Sequence, residues 1–121
     1  MLGEIAIGHV WAPPPEPGAD GLAVYGAFVN RGAAVVRLVA ARAEVAERTR
    51  IRADVEGAAT WPKAITFRPG QPFALAPWRE HIWLSGLRYD VQEGESFKLE
   101  LDFGEAGSVL VDVAVEAATG H

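Results

Sequence analysis

His81 is the one histidine that an alternating strand pattern places inside the chain, within the run Arg79-Glu80-His81-Ile82-Trp83-Leu84-Ser85-Gly86-Leu87. An imidazole there can hold a metal, move a proton, or make hydrogen bonds as a core or rim residue and do nothing else. His9 reads as a strand residue, and His121 is the last residue of the sequence; either one is a possible second imidazole for a site built on His81. Hydrolytic chemistry has little to work with. Serine occurs only at Ser85, Ser96 and Ser108, none in a Gly-x-Ser-x-Gly elbow, and the histidines are too scattered to nominate a triad. Glu93, Glu95 and Glu105 fall in predicted turns, which suits solubility better than paired general acid and base. There is no Gly-rich phosphate loop, so the chain is read as not an enzyme. Arg48, Arg50 and Arg52 form a basic stripe along one strand face, a solvated surface or an anion-binding one. Trp61, Trp78 and Trp83 are packing residues or a platform for a ligand such as a sugar.

Such residues need a scaffold, and 121 residues, 50% of them hydrophobic, suffice for one domain over 1–121 with its core at about 4–116. A formal charge of -5 makes the surface acidic and argues against nucleic acid or an anionic membrane as a partner. The chain has no cysteine, which removes disulfides, iron–sulfur clusters, thiolate zinc sites and cysteine nucleophiles together. No apolar run is long enough to insert across a membrane. The opening Met1-Leu2-Gly3-Glu4 lacks a signal-peptide pattern, so the expectation is a cytoplasmic protein or one whose export signal was removed.

Period-two alternation dominates the rest. Residues 4–11 read as a strand with Ile5, Ile7, His9 and Trp11 on one side, and residues 22–30 as a second with Tyr25 opposite Leu22, Val24 and Phe28. The prolines between Ala12 and Gly18 force a loop, and Asn30-Arg31-Gly32 is a turn. Residues 33–59 have helix-like composition, yet Arg48, Arg50, Arg52 and Asp54 alternate with Thr49, Ile51, Ala53 and Val55, so two strands are expected at roughly 34–42 and 47–55. Ile65 with Phe67, Phe73 with Leu75, and His81 to Leu84 follow as short strands separated by Pro- and Gly-containing turns. Phe97, Leu99, Leu101 and Phe103, then Val109, Val111, Val113 and Val115, complete seven to nine strands. That spacing predicts an all-β, antiparallel β-sandwich of immunoglobulin-like kind.

Several of these motifs, taken in order, resemble the periplasmic copper chaperones of the PCuAC type. Val10-Trp11-Ala12 before a proline-rich loop, Tyr25 with Asn30, Arg37-Leu38-Val39, and Val45-Ala46-Glu47-Arg48 match the first part of that family. Leu75-x-Pro77, His81, Leu84, Gly86-Leu87, Glu93-Gly94-Glu95, Leu99-x-Leu101-x-Phe103 and Ala106-Gly107 match the remainder. The resemblance implies a single-domain, cupredoxin-like Greek-key β-sandwich in the periplasm. It also implies Cu(I) binding and delivery to another copper carrier or a membrane oxidase subunit.

The family's ligand set, as the resemblance maps it, is a histidine at Arg52, a methionine near Trp61, and a His-x-Met pair at His81 and Trp83. Only His81 is kept as a metal ligand, and the chain's single methionine is Met1. Soft Cu(I) favours thioether and imidazole, whereas a guanidinium does not deprotonate and repels the ion. The competing expectation is a metal-free interaction module in which Arg52 stacks on Trp61, Trp83 or both beside His81, with donors left for a carboxylate or other anion.

Overall fold

The apolar alternation folds into eleven strands in the computed structural model, which describes residues 5–15, 18–19 and 21–117. They are β1 (Ile5–Ala12), β2 (Gly21–Asn30), β3 (Val36–Leu38), β4 (Ala40–Arg42), β5 (Ala46–Val55) and β6 (Ala58–Thr60). After these come β7 (Ile65–Phe67), β8 (Pro72–Leu75), β9 (His81–Leu87), β10 (Ser96–Asp102) and β11 (Ser108–Val115), with a 3₁₀ turn at Gly104–Ala106. The large sheet runs β4-β10-β11-β1-β2-β9-β5-β6, with β8 also paired to β2, and β3-β7 forms a second, two-stranded sheet. Phe67 of that small sheet is fully buried and its ring meets Phe28, Phe73 and Phe103, so the two sheets close over one apolar core.

The all-β expectation holds, with four local differences. The sheet is mixed: β1 is antiparallel to β2 but parallel to β11, where Trp11 faces Ala114 and Ala12 faces Val115. The strand expected over 34–42 is broken at Val39, whose N–H donates to the Asp102 carbonyl at 2.9 Å while β3 pairs with β7 and β4 pairs with β10. One apolar run thus serves two sheets. The short β6 had no sequence signal, because its three residues are all exposed.

The fourth difference matters most for the outer surface. The β1–β2 register slips by one residue between Ile7 and Val10, a bulge that turns the strand over. Ile5 points inward before it, and Val10 and Ala12 are buried after it. Trp11 therefore lies on the outer face instead of sharing a side with Ile5, and His9 is exposed and hydrogen-bonded to Glu116 at 2.9 Å.

Polar anchoring fixes the rest. Asn30 is buried, donating from Nδ2 to the carbonyls of Ala34 (2.7 Å) and Phe67 (3.0 Å) and accepting at Oδ1 from the Gly32 N–H (2.9 Å). The Gly70 N–H reaches its carbonyl at 2.7 Å. One side chain thereby ties the end of β2 to the turn before β3 and to β7.

Candidate functional site

Strand pairing assembles a row of side chains on the outer face of the large sheet. Trp11 of β1 is the register partner of Tyr25 of β2, with ring centroids 5.3 Å apart. The Tyr25 ring meets His81 of β9 edge-on at 5.5 Å, and His81 is the register partner of Arg52 of β5. A second row places Trp83 between Ala23 and Arg50. Cross-strand partners project on the same side, so the alternation of β2, β5 and β9 that buries Val24, Ile51 and Ile82 inside necessarily puts these polar and aromatic residues outside. Trp61, the residue after β6, comes alongside Arg50 and Arg52.

The arrangement of cations and rings is specific. The Arg52 guanidinium carbon lies 4.7 Å from the Trp83 ring centroid and 6.0 Å from that of Trp61. Arg50 takes the closer position over Trp61, at 3.6 Å. Arg52 Nε also donates to Asp54 Oδ1 at 3.1 Å, an ion pair on the same strand. The sequence brought forward Arg52, Trp61, Trp83 and His81; the structure sets these four together and adds Arg50, Asp54 and Tyr25. Arg50 had been visible only as part of the basic stripe, and Asp54 only as a member of the alternation. No carboxylate among the described residues pairs with Arg48 or Arg50.

His81 is buried, but in the outer layer beneath its neighbours and not in the apolar core. Strands β8 and β9 lie end to end along β2, and Ala76 to Glu80 connect them. The His81 Nδ1 faces the carbonyls of Arg79 at 2.9 Å and Ala76 at 3.1 Å. Carbonyl oxygens only accept, so Nδ1 carries the proton and Nε2 is left with the lone pair in the neutral ring. Nε2 has no protein partner among the described residues. No buried side-chain nitrogen or oxygen among them goes without one, which puts Nε2 within reach of solvent. His81 therefore clasps the turn that presents Trp78, a residue 78% exposed, through Nδ1 alone.

Two further features complete the surroundings. Burial raises the Tyr25 phenol above its ordinary value and the Asp54 carboxylate adds to this, while Arg52 opposes both. Gly21 leaves the space that the Trp83 indole fills: a Cβ there would lie 2.6 Å from Trp83 Cζ2 and 2.6 Å from the Leu84 carbonyl oxygen. Of the other proposed partners, His9 is engaged with Glu116, and His121 lies outside the described residues.

Against Cu(I), this donor set offers one imidazole nitrogen. No group of three or more histidine, cysteine, aspartate or glutamate side chains among the described residues is placed to hold a metal.

Residues 5–115 match the family described as "Putative lipoprotein LpqE-like". The chain is a PCuAC-type domain of the LpqE-like family. Solved structures agree: the apo PCuAC domain from PmoF1 superposes with a TM-score of 0.86 at 24% identity, covering 97% of each chain. The copper-bound PCuAC domain from PmoF2 gives 0.85 at 26% identity over 97% of this chain and 96% of that one. The CuI-DR1885 solution structure from Deinococcus radiodurans gives 0.78 at 16% identity over 92% and 77%. Proteins of curated function gave no match. This PCuAC-type domain has no helix among its described residues long and apolar enough to cross a membrane.

Proposed function

We propose that this domain works outside the cytoplasm as a metal-free binding module, in which the surface used for copper by its relatives has become a cation–aromatic face for an anion. The observation that supports this reading is the Arg52 guanidinium, stacked over Trp83 and set in register beside His81. A Cu(I) ion on His81 Nε2 would feel that fixed positive charge. At a separation of about 5 Å and an effective dielectric of about 20, two unit charges repel by about 3 kcal/mol, part of which Asp54 offsets. The thioethers that would repay this are missing, since the four tryptophans and eleven basic residues of the chain are accompanied by a single methionine, Met1. Stacking on an indole instead leaves guanidinium N–H edges free to bind a carboxylate in a bidentate fork.

A Cu(I) competition titration against a chromophoric chelator under reducing conditions tests this reading. The expected result is no stoichiometric uptake by the unaltered domain, together with a saturable change in tryptophan emission on adding citrate that is lost in Arg52→Ala. Tight one-to-one uptake abolished by His81→Ala would instead support a second reading. In it, His81 Nε2 anchors copper for delivery to another carrier or to a membrane oxidase subunit, and the commitment of Nδ1 to backbone carbonyls, which leaves Nε2 as the donor atom, is what favours it.

A further inference from the structure

The outer edge of β5, next to last in the large sheet, is only partly covered. On one side β5 pairs with β9 from Ala46 to Arg52; on the other, β6 covers only Ala53, Asp54 and Val55. Among the described residues, no backbone hydrogen bond reaches Glu47 to Ile51 from that open side. Natural sheets cap such edges because unpaired N–H and C=O groups recruit another strand. Here the backbone edge from Glu47 to Ile51 is unpaired, and the same stretch carries Arg48 and Arg50 on its outer face, with Arg52 next in the row and Trp61 alongside Arg50 and Arg52. Their spacing along an extended strand is about 6.8 Å, two residues at about 3.4 Å each.

We propose that this edge accepts an extended acidic polypeptide segment by strand addition, its backbone pairing with Glu47 to Ile51 and its alternate carboxylates meeting Arg48 and Arg50, with Arg52, ion-paired to Asp54, at the end of the row. The proposal rests on the anion-binding reading of the cluster and extends it to a partner of defined shape. Directly opposed residues of paired strands have Cβ atoms about 4.5–5.5 Å apart, within reach of a bidentate Arg–carboxylate contact. Strand addition draws affinity from the main chain and specificity from every second side chain, which Arg48 and Arg50 at i and i+2 read. Arg50 is held for this by its stack on Trp61, and neither Arg48 nor Arg50 is neutralised by an acid among the described residues. A second copy of this chain is a poor occupant. Antiparallel pairing of β5 with its own copy about Arg50 would set Arg50 against Arg50 and Arg48 against Arg52, like charges directly opposed.

The test titrates the intact domain with three acetylated, amidated peptides of one composition: alternating Glu and Thr, the same residues with the glutamates in one block, and the alternating peptide N-methylated at alternate backbone amides. Citrate is titrated in parallel. The expected result is saturable binding of the alternating peptide, weakened at least tenfold by blocking the glutamates, by N-methylation on one set of alternate amides, and by Arg48→Glu with Arg50→Glu. Slowed amide exchange confined to residues 47–51 accompanies it. Equal binding of all three peptides would reduce the site to a charge patch and overturn the proposal. Citrate binding without peptide binding would overturn it while leaving the anion-binding reading intact; failure of both ligands would overturn both. Self-association of an Arg48→Thr, Arg50→Thr variant, with no peptide binding by the unaltered domain, would show that the arginines only guard the edge, and would likewise overturn it.

Discussion

Trp83 sits where it does because Gly21 has no side chain. A methyl group there would collide with the indole and with a backbone carbonyl of β9, and the carbonyl has no freedom to swing aside. Gly21→Ala is therefore expected to lower stability by about 1–3 kcal/mol, the usual cost of overpacking, and to shift tryptophan emission as Trp83 moves off Arg52. Chemical denaturation followed by fluorescence checks both. Tyr25 supplies a second prediction at this scale. Its phenol is held above the ordinary value of 10.0 by burial and by Asp54. An acid whose folded value is raised keeps its proton longer in the folded state, so the unfolded chain releases protons first as pH rises past 10. Stability should fall with pH above that point, and Tyr25→Phe should flatten the fall; denaturation midpoints measured between pH 8 and 11 decide it.

At the scale of elements, Asn30 joins the end of β2 to the turn before β3 and to β7. Asn30→Ala leaves the buried Phe67 carbonyl without its side-chain donor. A loss of about 2–3 kcal/mol is expected, more than a simple exposed hydrogen bond would cost. Thermal unfolding of the variant, with amide exchange at β7 rising before that at β10, is the check.

The legible and illegible parts of the sequence divide along physical lines. The strict alternation of β10 and β11 and of Arg48 to Arg52 gave correct faces because each has one buried side and one wet side; further along β5, where it pairs only with β6, Asp54 and Val55 are both exposed. The faces of β1 were missed because a one-residue bulge reverses them, and nothing in Ile7-Gly8-His9-Val10 marks a bulge except a glycine. The break at Val39 was missed because Val36-Arg37-Leu38-Val39-Ala40 alternates well enough for one strand; its division between two sheets depends on distant partners. His81, Arg52, Trp61 and Trp83 were brought forward together only through family resemblance, since they come from β5, β9 and the segment after β6. Arg50 could have been found from composition: an arginine two residues from Arg52 on one strand lies on the same face and competes for the same rings. The Nδ1 clasp on the Ala76 and Arg79 carbonyls had no sequence signal, because backbone carbonyls are offered by every residue.

For the whole molecule, a net charge of -5 is combined with three arginines concentrated on one edge. Glu47 and Asp54 lie on the same strand, so an acidic partner would be drawn by Arg48 and Arg50, which have no acid partner among the described residues, against an overall negative charge. Such attraction is screened over a Debye length of about 10 Å at 0.1 M salt. Association with the alternating acidic peptide should therefore weaken as salt rises from 20 to 300 mM, mainly through slower association, which stopped-flow fluorescence resolves.

On the proposed reading, cations and indoles stand where the family resemblance implies copper ligands, and the most informative measurement supplies those ligands. Arg52→His, Trp61→Met and Trp83→Met, made together, return the imidazole and thioether set around His81. Cu(I) competition under reducing conditions is then run on this variant and on the unaltered domain. The account predicts one-to-one uptake by the triple variant and none by the parent. Equal uptake by the two, lost from both on His81→Ala, would contradict it and return copper to the function of this protein.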